Sequence, residues 1–294
     1  MLYSPGARLI IFAAVFLLLM FALQFSLHAL AWSPKHAPAW ERAAIGLLFE
    51  AGPTLLAYVF VVQSIERRYP RELAPEALPR LLLAGLAGGA VLFSAVVGVL
   101  WLAGSYHLVG GNAHPDWLPQ LAVVGFGAGI GEEILMRGAL LRMVEEGLGT
   151  WIALAISAAL FGAGHLGNPN ATWWAAAAIA IEAGLMLGML YHLTRSLWPC
   201  IGLHAAWNIM QGLVYGIPVS GTHADGFLVS TRSGPDWLSG GAFGAEASVV
   251  ALALCSVCTI VMIVIAVRRG SIVPPYWARK PAPTGDWDRL TRID

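Results

Sequence analysis

The sequence is short of charge. Only 12% of its 294 residues are Asp, Glu, Lys or Arg, about half the share found in an ordinary soluble domain. So few ionic side chains cannot furnish a solvated globular surface, which argues against a soluble domain and rules out a disordered chain. What charge there is balances, with 17 basic and 17 acidic residues. No field of one sign draws the chain to DNA or RNA, and no nucleic-acid partner is expected. Cysteine is scarce too. Cys200, Cys255 and Cys258 all sit in apolar stretches, which excludes a disulfide framework. Cys255 and Cys258 form a lone CxxC in an uncharged run and read as small apolar helix residues. Alternating ten-residue segments of the β-barrel kind are missing. So is any internal repeat of the kind many transporters are built from.

What is abundant is apolar: 58% of the chain, with 33 glycines besides. The uncharged or nearly uncharged runs are Leu9–Trp32, Ala43–Val62, Leu81–Tyr106, one starting at Trp117, Thr150–Gly167, Ala171–Leu193, Ser196–Ile217 and Ala247–Val267. Crossing the hydrocarbon takes about 20 helical residues, and a lone strand or coil cannot satisfy its backbone in lipid. The first run is too long for a signal-peptide core. The expectation is therefore an all-α polytopic membrane protein of about eight transmembrane helices. Residues 1–269 form a single transmembrane domain, and residues 270–294 form a short, poorly ordered cytoplasmic tail. With the N-terminus inside, fourteen of the seventeen Lys and Arg fall on the cytoplasmic side, leaving Lys35, Arg42 and Arg232 outside. The positive-inside rule then places both termini in the cytoplasm and suggests a plasma membrane. The loop 218–245, rich in Gly, Ser and Thr, falls outside, and composition gives it no role.

Ionisable residues inside a span need a partner, a cavity or a task. Glu132 and His165 lie equally far on either side of a turn at Gly147–Gly149. In an antiparallel hairpin this puts both about 25 Å from the turn, near mid-membrane. His204 lies about 12 Å into the seventh span, and Asn208, four residues on, shares its helix face. Three spans thus bring a carboxylate, two imidazoles and an amide to similar depth, around one expected pocket. Glu133 and Arg137 are spaced for an i,i+4 ion pair, while Glu132 is rotated about 100° away from Glu133. The bland alternatives are that these charges mark the end of a short span and that the histidines merely pack. Glu50 and Glu182 stand alone and are expected to bond to a neighbouring helix. His28, His107, His114, His192 and His223 lie at span ends or in loops and are expected to be solvated. Gly184 and Gly188 form a GxxxG that lets helices approach.

Glu132-Glu133-Ile-Leu-Met-Arg137 is an EExxxR, Phe161-Gly-Ala-Gly-His165 an FxxxH, and His204-Ala-Ala-Trp-Asn208 an HxxxN. In this order the chain resembles the CAAX-protease and bacteriocin-processing family of intramembrane endopeptidases, which includes the enzyme that trims the last three residues of prenylated CAAX proteins. The resemblance covers residues 121–211 and makes the fourth to seventh spans the catalytic core. It implies that Glu132 and His165 activate a water that attacks the scissile carbonyl. His204 and Asn208 would stabilise the oxyanion, and Glu133 and Arg137 would support the site. The implied partners are the bilayer and a membrane-associated protein or peptide substrate, possibly lipidated.

On metal the resemblance is open. Glu132, His165 and His204 are the ligand types of a catalytic zinc, but no HExxH occurs, and Asn208 is a poor zinc ligand and a good oxyanion donor. The favoured reading requires no cofactor; a divalent metal, zinc, is the alternative. Two further readings compete with the protease: a non-catalytic scaffold or immunity protein of the same fold, and an ion-coupled transporter built around Glu50, Glu132 and Glu182.

Overall fold

The computed structural model describes residues 4–279. Among them, six helical segments are long and apolar enough to cross a membrane: Pro5–Ala29, Ala39–Ile65, Arg71–Leu102, Trp117–Gly167, Trp173–Thr194 and Val249–Arg268. The 51-residue segment is not one rod. At Gly149 the backbone takes φ 80° and ψ 170°, outside any helix, so the segment folds into two helices, α4 (117–148) and α5 (150–167). The others are α1 (Pro5–Ala29), α2 (Ala39–Ile65), α3 (Leu78–Leu102), α6 (Trp173–Thr194), α7 (198–214) and α8 (Val249–Arg268). α7 falls just short of spanning length. The protein is thus an all-α polytopic membrane protein.

Local chemistry sets where the helices begin. Ser4, Thr172 and Ser248 precede α1, α6 and α8, and each side-chain oxygen accepts from the backbone N–H three residues on, which satisfies a donor the helix leaves open. α1 is peripheral: it buries only Arg8 and Phe12, while Ile10, Leu17, Leu18, Phe21 and Phe25 lie bare on the surface, as a lipid-facing helix requires. Inside, Tyr58, Ile134, Leu141, Leu187, Tyr191 and Ile201 knit α2, α4, α6 and α7 into one core. Phe93, Leu100, Trp207 and Cys255 make a second core from α3, α7 and α8. Gly184 packs against Ala158 of α5, the close approach expected of the GxxxG.

One end of the bundle gathers the charge. Glu66 accepts from Arg8 at 2.9 Å, Arg142 at 2.8 Å and Arg68 at 2.7 Å, and Arg68 also holds Glu72 at 2.8 Å. Burial alone would raise the Glu66 carboxyl, but the hydrogen bonds and charges of Arg142 and Arg68 hold it below its ordinary value. Beside this hub, Glu145 bonds His192 Nδ1 at 2.7 Å, Thr150 at 2.8 Å and Arg195. His192 is therefore not solvated as expected. It is 2% exposed, because the turn folds Glu145 over it and Ser271 meets its other nitrogen.

The tail expectation also changes. Residues 271–279 are fastened across the α4–α5 turn: Thr150 N–H donates to Val273 O, Val273 N–H donates to Thr150 Oγ1, and Arg279 donates to the Glu146 carbonyl. A Cβ on Gly149 would stand 2.6 Å from Val273 O, so this crossing needs glycine twice over, for its φ and for the space. The rest of the tail, residues 280–294, lies outside the described residues.

At the opposite end a small sheet departs from the helical expectation. β1 (Tyr106–Gly111) pairs antiparallel with β2 (Leu228–Arg232), with a bulge at Leu108–Gly110. The third apolar run therefore stops as helix at Leu102, and Tyr106 opens a strand. β2 belongs to the loop 218–245, which is no loose excursion. Gly221 N–H donates to Phe243 O, Phe227 N–H donates to Leu213 O, and Asn170 Nδ2 donates to Gly221 O. The loop forms a roof over the bundle.

Candidate active site

Arg137 is the pivot of the site. It is wholly buried on α4, and its Nη1 donates to Glu133 Oε1 at 2.9 Å with both side chains at 0% exposure. Its Nη2 donates to the carbonyls of Ala183 and Gly184 on α6 at 2.9 and 3.3 Å. The guanidinium also stands 4.6 Å from the centre of the Phe161 ring on α5, a cation–π contact. One side chain thus fixes three helices. Glu133 Oε1 accepts a second bond, from His204 Nδ1 on α7 at 2.9 Å. The i,i+4 pair read from the sequence is present and reaches further than its own helix.

Glu132 turns the other way. It lines an open cleft of about 220 Å³ with Leu135, Met136, Phe161 and His165, and its Oε2 has no protein partner. His165 Nδ1 lies 2.8 Å from the Phe161 carbonyl. A carbonyl only accepts, so Nδ1 carries the proton, and in the neutral ring Nε2 keeps a free lone pair. His165 also borders a second cavity of about 40 Å³, shared with His204, Asn208, Glu182, Ser220 and Glu246. Asn208 Nδ2 donates to Val124 O on α4 at 2.8 Å, which orients the amide and leaves one N–H free.

The four expected residues therefore do not ring a single chamber. They occupy two adjoining hollows that meet at Phe161 and His165: Glu132 in the cleft, His204 and Asn208 in the cavity. Glu132 and His165 do share the cleft. Among the described residues no three His, Cys, Asp or Glu side chains are grouped to hold a metal; the Nδ1 contacts of His165 and His204 leave both Nε2 atoms free.

The lone glutamates have different settings. α2 lays Glu50 against Gly127 and Gly131; a Cβ on Gly131 would meet the Glu50 carbonyl at 2.2 Å. Glu50 thus flanks the helix that presents Glu132. Glu182 has no bond to a neighbouring helix at Oε2 and instead lines the second cavity. Sequence reasoning passed over Ser220 and Glu246. Both come from the roof, where Ser220 N–H donates to Glu246 Oε1. Burial pushes the Glu246 carboxyl up, against the pull of Ser220 and of His165. A carboxylate just before an apolar run was the one available signal.

Residues 114–210 match the family model described as Type II CAAX prenyl endopeptidase, Rce1-like. All three motifs lie inside that stretch; the roof, α8 and the first three helices lie outside it. The matched stretch is about a third of the chain and is consistent with the CAAX-protease and bacteriocin-processing family. No curated protein matches the chain.

Proposed function

We propose that the chain is an intramembrane endopeptidase that hydrolyses a peptide bond of a membrane-associated protein or peptide, in CAAX-type processing or a similar reaction. The observation that carries this reading is the position of His165, which borders both the cleft holding Glu132 and the cavity holding His204 and Asn208.

A water in the cleft donates one hydrogen to Glu132 and the other to the free Nε2 of His165. Both acceptors are unengaged by protein at those atoms, and together they orient and deprotonate the nucleophile. The oxygen attacks the scissile carbonyl carbon. In the imidazolium form His204 donates through Nδ1 to Glu133 and through Nε2 toward the cavity, and Asn208 has its spare N–H. These two donors face the charge that develops on the carbonyl oxygen, where preorganised hydrogen bonds lower the barrier. Collapse of the tetrahedral species breaks the C–N bond, and the proton taken from water passes to the leaving amine. Glu133 and Arg137 hold His204 and α4 in register. No step requires a metal; a stoichiometric zinc whose removal abolishes cleavage would overturn this. Both termini are placed in the cytoplasm of a plasma membrane by the charge bias, and the Arg-rich hub at one end of the bundle supports that orientation.

The test compares membrane proteomes of cells carrying the wild type and Glu132→Gln. A substrate whose cleavage needs Glu132 supports the reading. Full complementation of a deletion phenotype by Glu132→Gln would instead favour a non-catalytic scaffold.

A further inference from the structure

Each peptide bond hydrolysed consumes one water: the C–N bond breaks, hydroxyl goes to the carbonyl carbon and a proton to the amine. Hydrocarbon around a membrane-embedded site supplies none. The cavity beside His165 has room to hold it. Its free volume is about 40 Å³, room for about three waters. Polar groups from four parts of the fold face it: Glu182 on α6, His204 and Asn208 on α7, His165 on α5, and Ser220 and Glu246 on the roof. Glu182 is 2% exposed, yet its Oε2 meets no protein donor. A buried carboxyl oxygen in that state is costly unless water satisfies it. Polar hollows of this size hold ordered water, whereas apolar ones stay dry.

We propose that Glu182 and Glu246 are positioning residues that keep a small store of water in the cavity beside His165 and feed it past that side chain to the cleft of Glu132. The inference rests on the hydrolase reading above. Neither glutamate belongs to the three motifs, and Glu246 lies beyond the family-matched stretch. Glu246 anchors one carboxylate oxygen on Ser220 N–H. Roof and bundle each supply one wall of the store.

The first test is hydroxyl-radical labelling by X-ray radiolysis, which marks side chains beside bound water. Met186, Trp207 and Cys255 line the cavity and are at most 7% exposed, so bulk solvent does not reach them. They label in the wild type and fall to background in Glu182→Leu. The second test is kinetic. Glu182→Leu lowers kcat by about tenfold to a hundredfold with KM unchanged, whereas Glu182→Gln, still polar, retains most of the rate. Unlabelled cavity residues in the wild type, equal loss in both variants, or a change confined to KM would each overturn the proposal. Should Glu182→Leu fail to fold, Glu246→Leu and Glu246→Gln carry the same comparison from the roof. Labelling needs no turnover. A dry cavity in an active protease defeats only the water store, and a wet cavity in an inactive wild type defeats only the hydrolase.

Discussion

The two charged regions of this molecule are built on opposite rules. At the hub around Glu66, almost every charge has a partner: three arginines converge on one carboxylate, and Arg68 also holds Glu72. Around the motifs, partners are withheld. Glu132, Glu133 and Glu182 each keep an Oε2 with no protein donor, and the outward nitrogens of both histidines are free. A saturated ion cluster fastens loops together. An unsaturated one keeps bonding capacity for something that arrives. Arg137 and Glu133 sit at the boundary: they pair with each other and hold His204, while Glu133 Oε2 and Arg137 Nε stay without a partner.

Substitutions should separate the two regions, and the largest effect belongs to the withheld groups. Glu132→Gln or His165→Ala should reduce cleavage by more than about a thousandfold while the protein inserts and keeps its melting temperature; wild-type-like turnover in either would refute the assignment. Next comes the boundary. Arg137→Met leaves Glu133 buried with only His204 beside it, at a cost of about 3–5 kcal/mol. Adding Glu133→Gln should restore much of the stability in thermal unfolding without restoring activity, since His204 then loses its carboxylate. Gly149→Ala forces a side chain into a left-handed backbone and toward Val273 O. About 1–3 kcal/mol should be lost, with the folded fraction still active.

Smaller still is Glu66→Gln, which strips the hub of its central anion. About 1–2 kcal/mol is expected, discounted because Arg68 is a third exposed; a melting-temperature drop with unchanged specific activity would confirm the contrast. The least effect is a pH dependence. The Glu66 carboxyl titrates below its ordinary value in the folded protein, so its contribution is complete above the usual glutamate range and is lost as pH falls through the lowered value. Wild type should lose thermal stability on acidification more steeply than Glu66→Gln.

Much of this was legible in the residues. Lipid leaves an apolar run only one backbone solution, so the helices were fixed by run length, and Glu132 and His165, equally spaced about the turn, do share the cleft. The Glu133–Arg137 pair followed from helical spacing. What was not legible depended on contacts distant in sequence. His192 looked like a span-end histidine until Glu145 and Ser271 closed over it. The strands lie in Gly- and Ser-rich loops with no two-residue period. Phe161 lines both the cleft and the cavity, and no spacing encodes which ring takes that place. Glu246 reaches the cavity only because the roof folds back.

The crossing of residues 271–279 over the α4–α5 turn bears on how the protein is made. The backbone N–H of Thr150 waits for the carbonyl of Val273, more than a hundred residues later. A nascent chain leaves the ribosome from the N-terminus, so the hairpin bearing Glu132 and His165 inserts long before its last fastening exists. The turn of that hairpin is therefore fastened only after Val273 has been made, and chains truncated before it would leave the hairpin without its clasp.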